Sequence, residues 1–509
     1  MKKIISAILA AVMAAFALTA CTPADASKTV VDFKQPTGTS SVSCVINGAS
    51  GDLTNCFTND PEAIRPGFED VDFGGYTFVF VSPLETKDGW AAYEVYGEES
   101  GMGALNASIE KRNELLAKHY DCNIRSFDIQ KGVMLEDFNI NRNTADIVLT
   151  RYNLYSKANG SYYNFYDLDI DFADKPWFDG NFIDDMTVSY QLYAMLGAFS
   201  LTSFDATQVM FYNKNVQNKT DAIKNIDFYE LAYNGEWTLD KFYEISKLAA
   251  CDKNGDGAMT LGTDTFGFVS TSGNISGLYF GAGQSYVGKV DNPIGETEFV
   301  SSFSDAAIEA TDKIVSIYAD AGTVISEDNN KNTWQFRSDE ALFLSDYLKN
   351  ASLYSVKYGT ADEKSGIDIL PFPALNEEQS KAREYYNYVG NQFIYMCIPK
   401  ICTDLEQIAD FVEVYAYHSY YTVYRDYLDL YKNTYATDPR SGDMVKMILE
   451  SRNFDLAYHF AWASFDMEYK ASVNNGVNAI RELGDSFKDA MIEAANKYRD
   501  NMKPAEYSR

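Results

Sequence analysis

The chain has 509 residues, with 43 Lys and Arg against 73 Asp and Glu, for a formal net charge of −30. That balance excludes a nucleic-acid partner, because phosphate binding needs a basic face, and it favours a soluble body that anionic lipid surfaces repel. Hydrophobic residues make up 46%, as in globular proteins, and the length exceeds what one core holds, so two lobes are expected.

The first element is a processing signal. Lys2 and Lys3 precede an uncharged apolar run over 4–17, followed by Leu18-Thr19-Ala20-Cys21. A basic start, a short apolar stretch and small residues before a cut predict a secretory signal peptide over 1–20. The run is shorter than the ~20 apolar residues of a spanning helix. The tetrad resembles a bacterial lipobox, which implies lipidation of Cys21 and a body anchored by lipid at the extracellular face of the cell membrane. Residues 21–72, rich in Thr, Ser, Gly, Pro, Asp and Asn, predict a flexible tether. Cys44 and Cys56 flank a polar loop within it, and two readings stand: a disulfide, which the compartment permits, or two free thiols. Cys122, Cys251, Cys397 and Cys402 read as buried thiols, with no C-x-x-C pair.

Regular structure begins after Gly74-Gly75. The run 76–81 is β-branched and aromatic and predicts a strand, with a helix through Leu105, Ile109 and Leu116 and further strands at 123–129 and 143–149. Alternating strands and helices predict a parallel sheet covered by helices. A strand at 209–214 follows. Thr238 is a good cap for a helix carrying Leu239, Phe242, Ile245 and Leu248. A helix through Ile308, Val315 and Tyr318 stops at Gly322, short strands are expected at 341–345, 367–370 and 393–398, and helices follow from Leu405 and at the C-terminus.

Catalytic motifs are absent. Only three histidines occur, and there is no HExxH, GxSxG or phosphate loop. One segment has metal-ligand spacing: Asp252-Lys253-Asn254-Gly255-Asp256-Gly257 matches the opening of a calcium loop, with Ala258 and Thr260 at the later positions. Thr263 stands where a bidentate acid is expected, and Asp264 comes one residue late. Structural calcium held by Asp252, Asn254, Asp256, Ala258, Thr260 and Asp264 is one reading; a metal-free Asx turn is the other. No cofactor is required.

The order of segments carries a resemblance. Leu105 to Asn113, Ala145-Asp146-Ile147, Lys175-Pro176-Trp177-Phe178, Asn181 to Asp185, Met210 to Lys214, Gly235-Glu236-Trp237-Thr238 and Leu370-Pro371-Phe372-Pro373 follow one another behind a lipobox and tether. Together they resemble the extracellular solute-binding proteins of bacterial ABC importers, in the family 1 group that includes the maltose-binding protein. The resemblance implies a two-lobed α/β fold of the type II periplasmic-binding-protein class, each lobe a mostly parallel sheet flanked by helices, with an interlobe cleft. By chain order it implies a first lobe over 73–205 that returns over 366–425, a second lobe over 206–365, and C-terminal helices over 426–509 that belong mainly to the second.

It further implies a monomer that is not an enzyme, captures a solute, most often a sugar or oligosaccharide, and delivers it to an ABC permease. A sugar asks for aromatic platforms beside polar groups that pair its hydroxyls. The candidates are Trp90, Tyr152, Trp177, Phe204, Asp205, Trp334, Tyr388, Asn391, Trp462 and Asp466, taken from strand ends, the expected lobe crossings and the aromatic patch 458–465. Trp237, at a helix start, reads as core. A surface-anchored polysaccharide hydrolase, which would need two facing carboxylates, and a peptide-binding or sensor lipoprotein without a transport partner are the alternatives.

Overall fold

A computed structural model describes residues 43–46, 49–52, 62–83, 93–97, 103–129, 145–151, 161–172, 175–293, 295–326, 329–360, 363–382 and 385–502. The chain divides into two units, Met1–Phe57 and Thr58–Arg509. In the first, Ser43–Ile46 and Ala49–Asp52 form an antiparallel hairpin. The expectations at Cys21 and for pairing of Cys44 with Cys56 rest on residues or side chains outside those described.

The second unit is built on two sheets. The aromatic run predicted as a strand is β1 (Tyr76–Pro83), and it is followed by α1 (Asn106–Tyr120), β2 (Cys122–Ile129) and β3 (Ile147–Arg151). β1 pairs in parallel with β2 on one side, Phe78 opposite Ile124, and with β3 on the other, Phe80 opposite Ile147. A late strand, Ile394–Cys397, closes this first sheet antiparallel to β3.

The chain then crosses through α2 (Gly180–Met186) and α3 (Leu201–Asp205) into the second sheet. That sheet holds β4 (Gln208–Asn213), β5 (Phe266–Ser270), β8 (Thr323–Ile325), β9 (Ala341–Tyr347) and β10 (Ile367–Leu370), in the order β8-β5-β9-β4-β10. β5 is parallel to β8 and β9, whereas β4 is antiparallel to both its neighbours. Between β5 and β8 come a separate hairpin, β6 (Val287–Asp291) with β7 (Thr297–Ser301), and a helix.

Helix faces follow the apolar spacing. Thr238 caps α4 (Leu239–Ala249) as expected, its hydroxyl accepting the Lys241 amide at 3.3 Å, and Leu239, Phe242 and Ile245 are buried. Phe242 packs between Phe268 and Phe343, 5.1 Å from each ring. Trp237 is core, its indole N–H donating to the Pro371 carbonyl at 2.9 Å. In the first sheet Phe78 stacks on Phe411 of α6 (Leu405–Ser419), ring centroids 3.7 Å apart. Cys122, Cys397 and Cys402 are buried thiols, but Cys251 is exposed, because it lies at the mouth of the polar 252–264 turn.

The lobes are joined three times. The first crossing is α3. The second leads from β10 through β11 (Asn387–Tyr388) to β12 (Ile394–Cys397). The third is one helical run: α6, a π-helical stretch Tyr420–Tyr424, α7 (Arg425–Leu430) and a second π-helical stretch Tyr431–Tyr435. It leads to α8 (Arg440–Glu450), which lies on β10 and bonds to it through Ser441, whose Oγ accepts the Ile369 amide at 3.2 Å. The return to the first sheet expected at residue 366 therefore comes later: Ile367–Leu370 pairs with β4 in the second sheet. A four-residue apolar strand fits either sheet, and only the pairing decides.

A brace away from the crossings ties the β6–β7 hairpin to α2. The half-buried Lys289 ammonium donates to the carbonyls of Asp184, Asp185 (2.9 Å) and Thr187 (2.7 Å), filling acceptors that the end of α2 leaves open. Asp185 accepts the Phe454 amide at 2.9 Å, and burial, outweighing the pull of Lys289, pushes its carboxyl up to about 7. A carboxyl raised in the folded state favours folding when protonated. That contribution is present below the ordinary carboxylate range and is lost as pH rises through about 7. Melting temperatures taken from pH 4 to 8 should therefore fall across this window in the wild type and fall less in Asp185→Asn.

Candidate functional site

In sheets of this kind ligands sit outside the carboxyl ends of the strands, where the chain changes direction. In the first sheet those ends are Pro83 of β1 and Arg151 of β3, and the segments beyond them, 84–92 and 152–160, lie outside the described residues. In the second sheet they are Ser270 of β5 and Tyr347 of β9, beside Gln208, where β4 begins. The second crossing runs between them: it ends at Ile394, which stands opposite Arg151 of β3, and it begins against the second sheet. Thr207 bridges Val389, the Gly390 amide donates to the Ala206 carbonyl at 2.8 Å, and the Leu348 amide donates to the Thr207 carbonyl at 2.8 Å.

Polar groups line this junction. Gln208 donates through Nε2 to Asn274 Oδ1 at 2.8 Å, and Asn274 donates to the Ser345 carbonyl at 2.6 Å. The Gln208 Oε1 is buried and has no donor among the described residues. A buried acceptor left without a donor costs about 1–3 kcal/mol. Gly390 lies against Tyr347, where an added Cβ would stand 2.5 Å from the ring, so the close approach of crossing and tyrosine requires glycine.

Asp205 anchors the junction. Its Oδ2 accepts the Tyr93 hydroxyl at 2.7 Å and its Oδ1 accepts the Tyr427 hydroxyl at 3.0 Å. The Tyr431 hydroxyl lies 3.1 Å from that of Tyr427 and 3.3 Å from the Leu348 carbonyl oxygen. Burial drives Tyr93, Tyr427 and Tyr431 well above the usual phenol range, so all three remain protonated donors. One carboxylate thus links the chain after β1, the first crossing, the third crossing and the end of β9.

Comparison with known proteins bears on this arrangement. No protein-family model and no curated protein matches the sequence. Solved structures do match. A family 1 extracellular solute-binding protein from Bifidobacterium longum subsp. infantis aligns over 83% of this chain and 100% of its own, with a TM-score of 0.50 at 15% identity. UspC of M. tuberculosis covers 82% of this chain and 100% of its own, with a TM-score of 0.51 at 13% identity. A cyclo/maltodextrin-binding protein complexed with maltotetraose covers 85% and 97%, with a TM-score of 0.50 at 11% identity. The chain has the two-lobed fold of the family 1 extracellular solute-binding proteins.

Within that solute-binding fold the candidate residues separate. Phe204, Asp205, Tyr388 and Asn391 lie on the crossings. Asn391 is half-buried, with Oδ1 2.6 Å from His459 Nδ1, and burial pulls His459 down to about 3, so that ring is neutral at physiological pH. Tyr388 is packed away from solvent, its hydroxyl 3.3 Å from that of Tyr458. Trp90 and Tyr152 fall outside the described residues.

Three tryptophans are not platforms. Trp177 is 1% exposed and donates to Glu413 Oε2 at 3.3 Å; that carboxylate also pairs with Arg65 at 2.9 Å. Trp462 is 6% exposed and wedged among Phe299, Phe460 and Tyr498. Trp334 is half-buried against Tyr358 on the helix Asn329–Arg337, near Gly262 of the acidic turn rather than at a strand end. Asp466 is engaged internally, accepting the hydroxyls of Ser276 at 2.5 Å and Tyr286 at 2.9 Å and pairing with Lys470. Sequence reasoning passed over Tyr93, Gln208, Asn274, Tyr347 and Tyr427, although Gln208 and Tyr347 lie at strand ends.

The 252–264 turn closes on its own amides. Asp252 accepts Gly255 N at 2.7 Å and Gly257 N at 2.8 Å, Asn254 accepts Asp256 N at 2.9 Å, and Asp256 accepts Ala258 N at 2.8 Å. The buried Asp264 accepts Lys253 N at 3.0 Å and Thr260 N at 2.8 Å. Gly257 has φ +84°, a conformation that other residues rarely adopt. These are the bonds of an Asx-rich turn. Among the described residues no group of three or more His, Cys, Asp and Glu is placed to hold a metal.

The burial of Trp462 has a measurable consequence. Trp462→Ala should lower unfolding free energy by about 3–5 kcal/mol, the usual cost of emptying a core aromatic site. Chemical denaturation of the two proteins checks it; an unchanged midpoint would place the ring on the surface.

Proposed function

We propose that this protein is a lipid-anchored extracellular receptor that captures a hydroxyl-rich solute, a sugar or oligosaccharide, between its lobes and hands it to an ABC-type permease. The observation that carries the reading is the meeting of both sheets' strand ends at the crossing segments, in a fold shared with solute-binding proteins, one of them complexed with maltotetraose. Gln208, Asn274, Tyr347 and Asn391 supply amide and hydroxyl groups suited to sugar hydroxyls, and Trp90 and Tyr152, which follow β1 and β3 in the chain, are the proposed stacking platforms. The crossings at 201–208 and 387–394, with the helical run 405–435, serve as the hinge.

Anchoring at Cys21 is part of the proposal, motivated by the lipobox. Among the described residues no helix is long and apolar enough to cross a membrane. Cys21→Ser should move the protein from the membrane fraction into the medium; retention in the membrane fraction would remove the anchor from the reading.

Capture is tested by thermal-shift screening with malto-oligosaccharides and other neutral sugars. A solute at 100 times its Kd should add about 2.7 kcal/mol to stability and shrink the radius of gyration in small-angle scattering. Gln208→Ala should weaken that solute about three- to tenfold, the worth of one hydrogen bond. If no neutral sugar shifts the melting temperature or the radius, the carbohydrate reading fails.

A further inference from the structure

We infer that the hinge carries a second, smaller site that takes an organic ammonium ion of about choline size. A cavity of about 260 Å³ opens beside the crossings, lined among others by Asp179, Phe204, Tyr420, Tyr424, Glu450 and Arg452. That volume falls below the roughly 300–1,000 Å³ of clefts that hold drug-sized ligands, so it suits a small ion rather than an oligosaccharide.

The lining selects the charge. The Tyr420 and Tyr424 rings stack on one another at 5.4 Å, and both line the cavity. The Arg452 guanidinium is buried, paired with Asp179, bonded to Ser203 Oγ at 2.9 Å and seated 5.0 Å from the Phe204 ring. Asp179 is thereby neutralised. Glu450 is not: its ion pair with Lys446 is long, at 3.8 Å, and both side chains are more than half exposed, so the pair is worth little. The cavity keeps one carboxylate in excess beside stacked aromatic faces. Ammonium groups are held by that combination, through charge and through the negative face of the rings.

The walls come from both sides of the hinge. α2 packs on the first sheet, with Phe182 5.6 Å from Tyr395, and α8 bonds to β10 of the second. Asn181 Nδ2 of α2 donates to the Glu450 carbonyl at 2.9 Å, across the cavity's edge. An ion seated there touches both lobes, so its affinity depends on their angle, and any solute that changes the angle changes it reciprocally.

The test is titration calorimetry of the full chain with choline chloride, against sodium chloride at equal ionic strength and glycerol as a neutral control. Choline should bind saturably, and sodium and glycerol should not. Glu450→Gln, at an exposed position that leaves folding intact, should weaken choline at least tenfold. Tyr424→Phe should retain binding and Tyr424→Leu should lose it. Gln208→Ala should leave choline affinity within twofold, which separates this site from the interlobe cleft and from the sugar reading. Choline heats no larger than those of sodium, undiminished binding in Glu450→Gln, or loss of choline with Gln208→Ala would each overturn the inference.

Discussion

The buried carboxylate of Asp205 is the constraint around which the lobes are arranged. A charge taken out of water is costly unless neighbouring donors replace its hydration. Here two phenols do so, from Tyr93 and Tyr427, which belong to segments far apart in sequence. Each is fixed in turn: Tyr93 precedes Glu94, whose carboxylate accepts the Thr202 amide and hydroxyl at the start of the same crossing, and Tyr427 meets Tyr431. Neutral donors on a single carboxylate hold segments together without a second charge. Each hydroxyl can also rotate between neighbouring acceptors.

Away from the junction the two sheets solve the burial problem with aromatic rings. Phe78, Phe80, Phe411 and Tyr415 fill the first, and Trp237, Phe242, Phe268 and Phe343 fill the second. Much of the chain's 15% aromatic content is therefore structural.

Local elements were legible because local physics specifies them. The strand at 76–83, the Thr238 cap and the helix beginning at Leu405 follow from β-branching, a side-chain acceptor and a 3.6-residue apolar period. Sheet membership was not legible for Ile367–Leu370, because an isolated apolar strand contains no information about its partner. The tryptophans misled for a related reason. Trp177 and Trp462 stand among polar and aromatic neighbours in sequence, as a platform would, yet a ring with one polar atom serves a core equally well once that atom finds an acceptor. Asp205 and Asn391 were singled out by their position at the expected lobe crossings, whereas Tyr427 lies inside a helical run whose turn geometry the sequence does not announce.

That run holds one more consequence. A π-helical turn accommodates a residue that an α-helical turn would not, and each such residue advances the side-chain direction by about 100°. Upstream of the first wide turn, Phe411 and Tyr415 address the first sheet; downstream, Tyr427 and Tyr431 address Asp205 and Leu348. The two wide turns thus set the azimuths at which one continuous backbone presents its rings: to the first sheet before Tyr420 and to the junction after Tyr424.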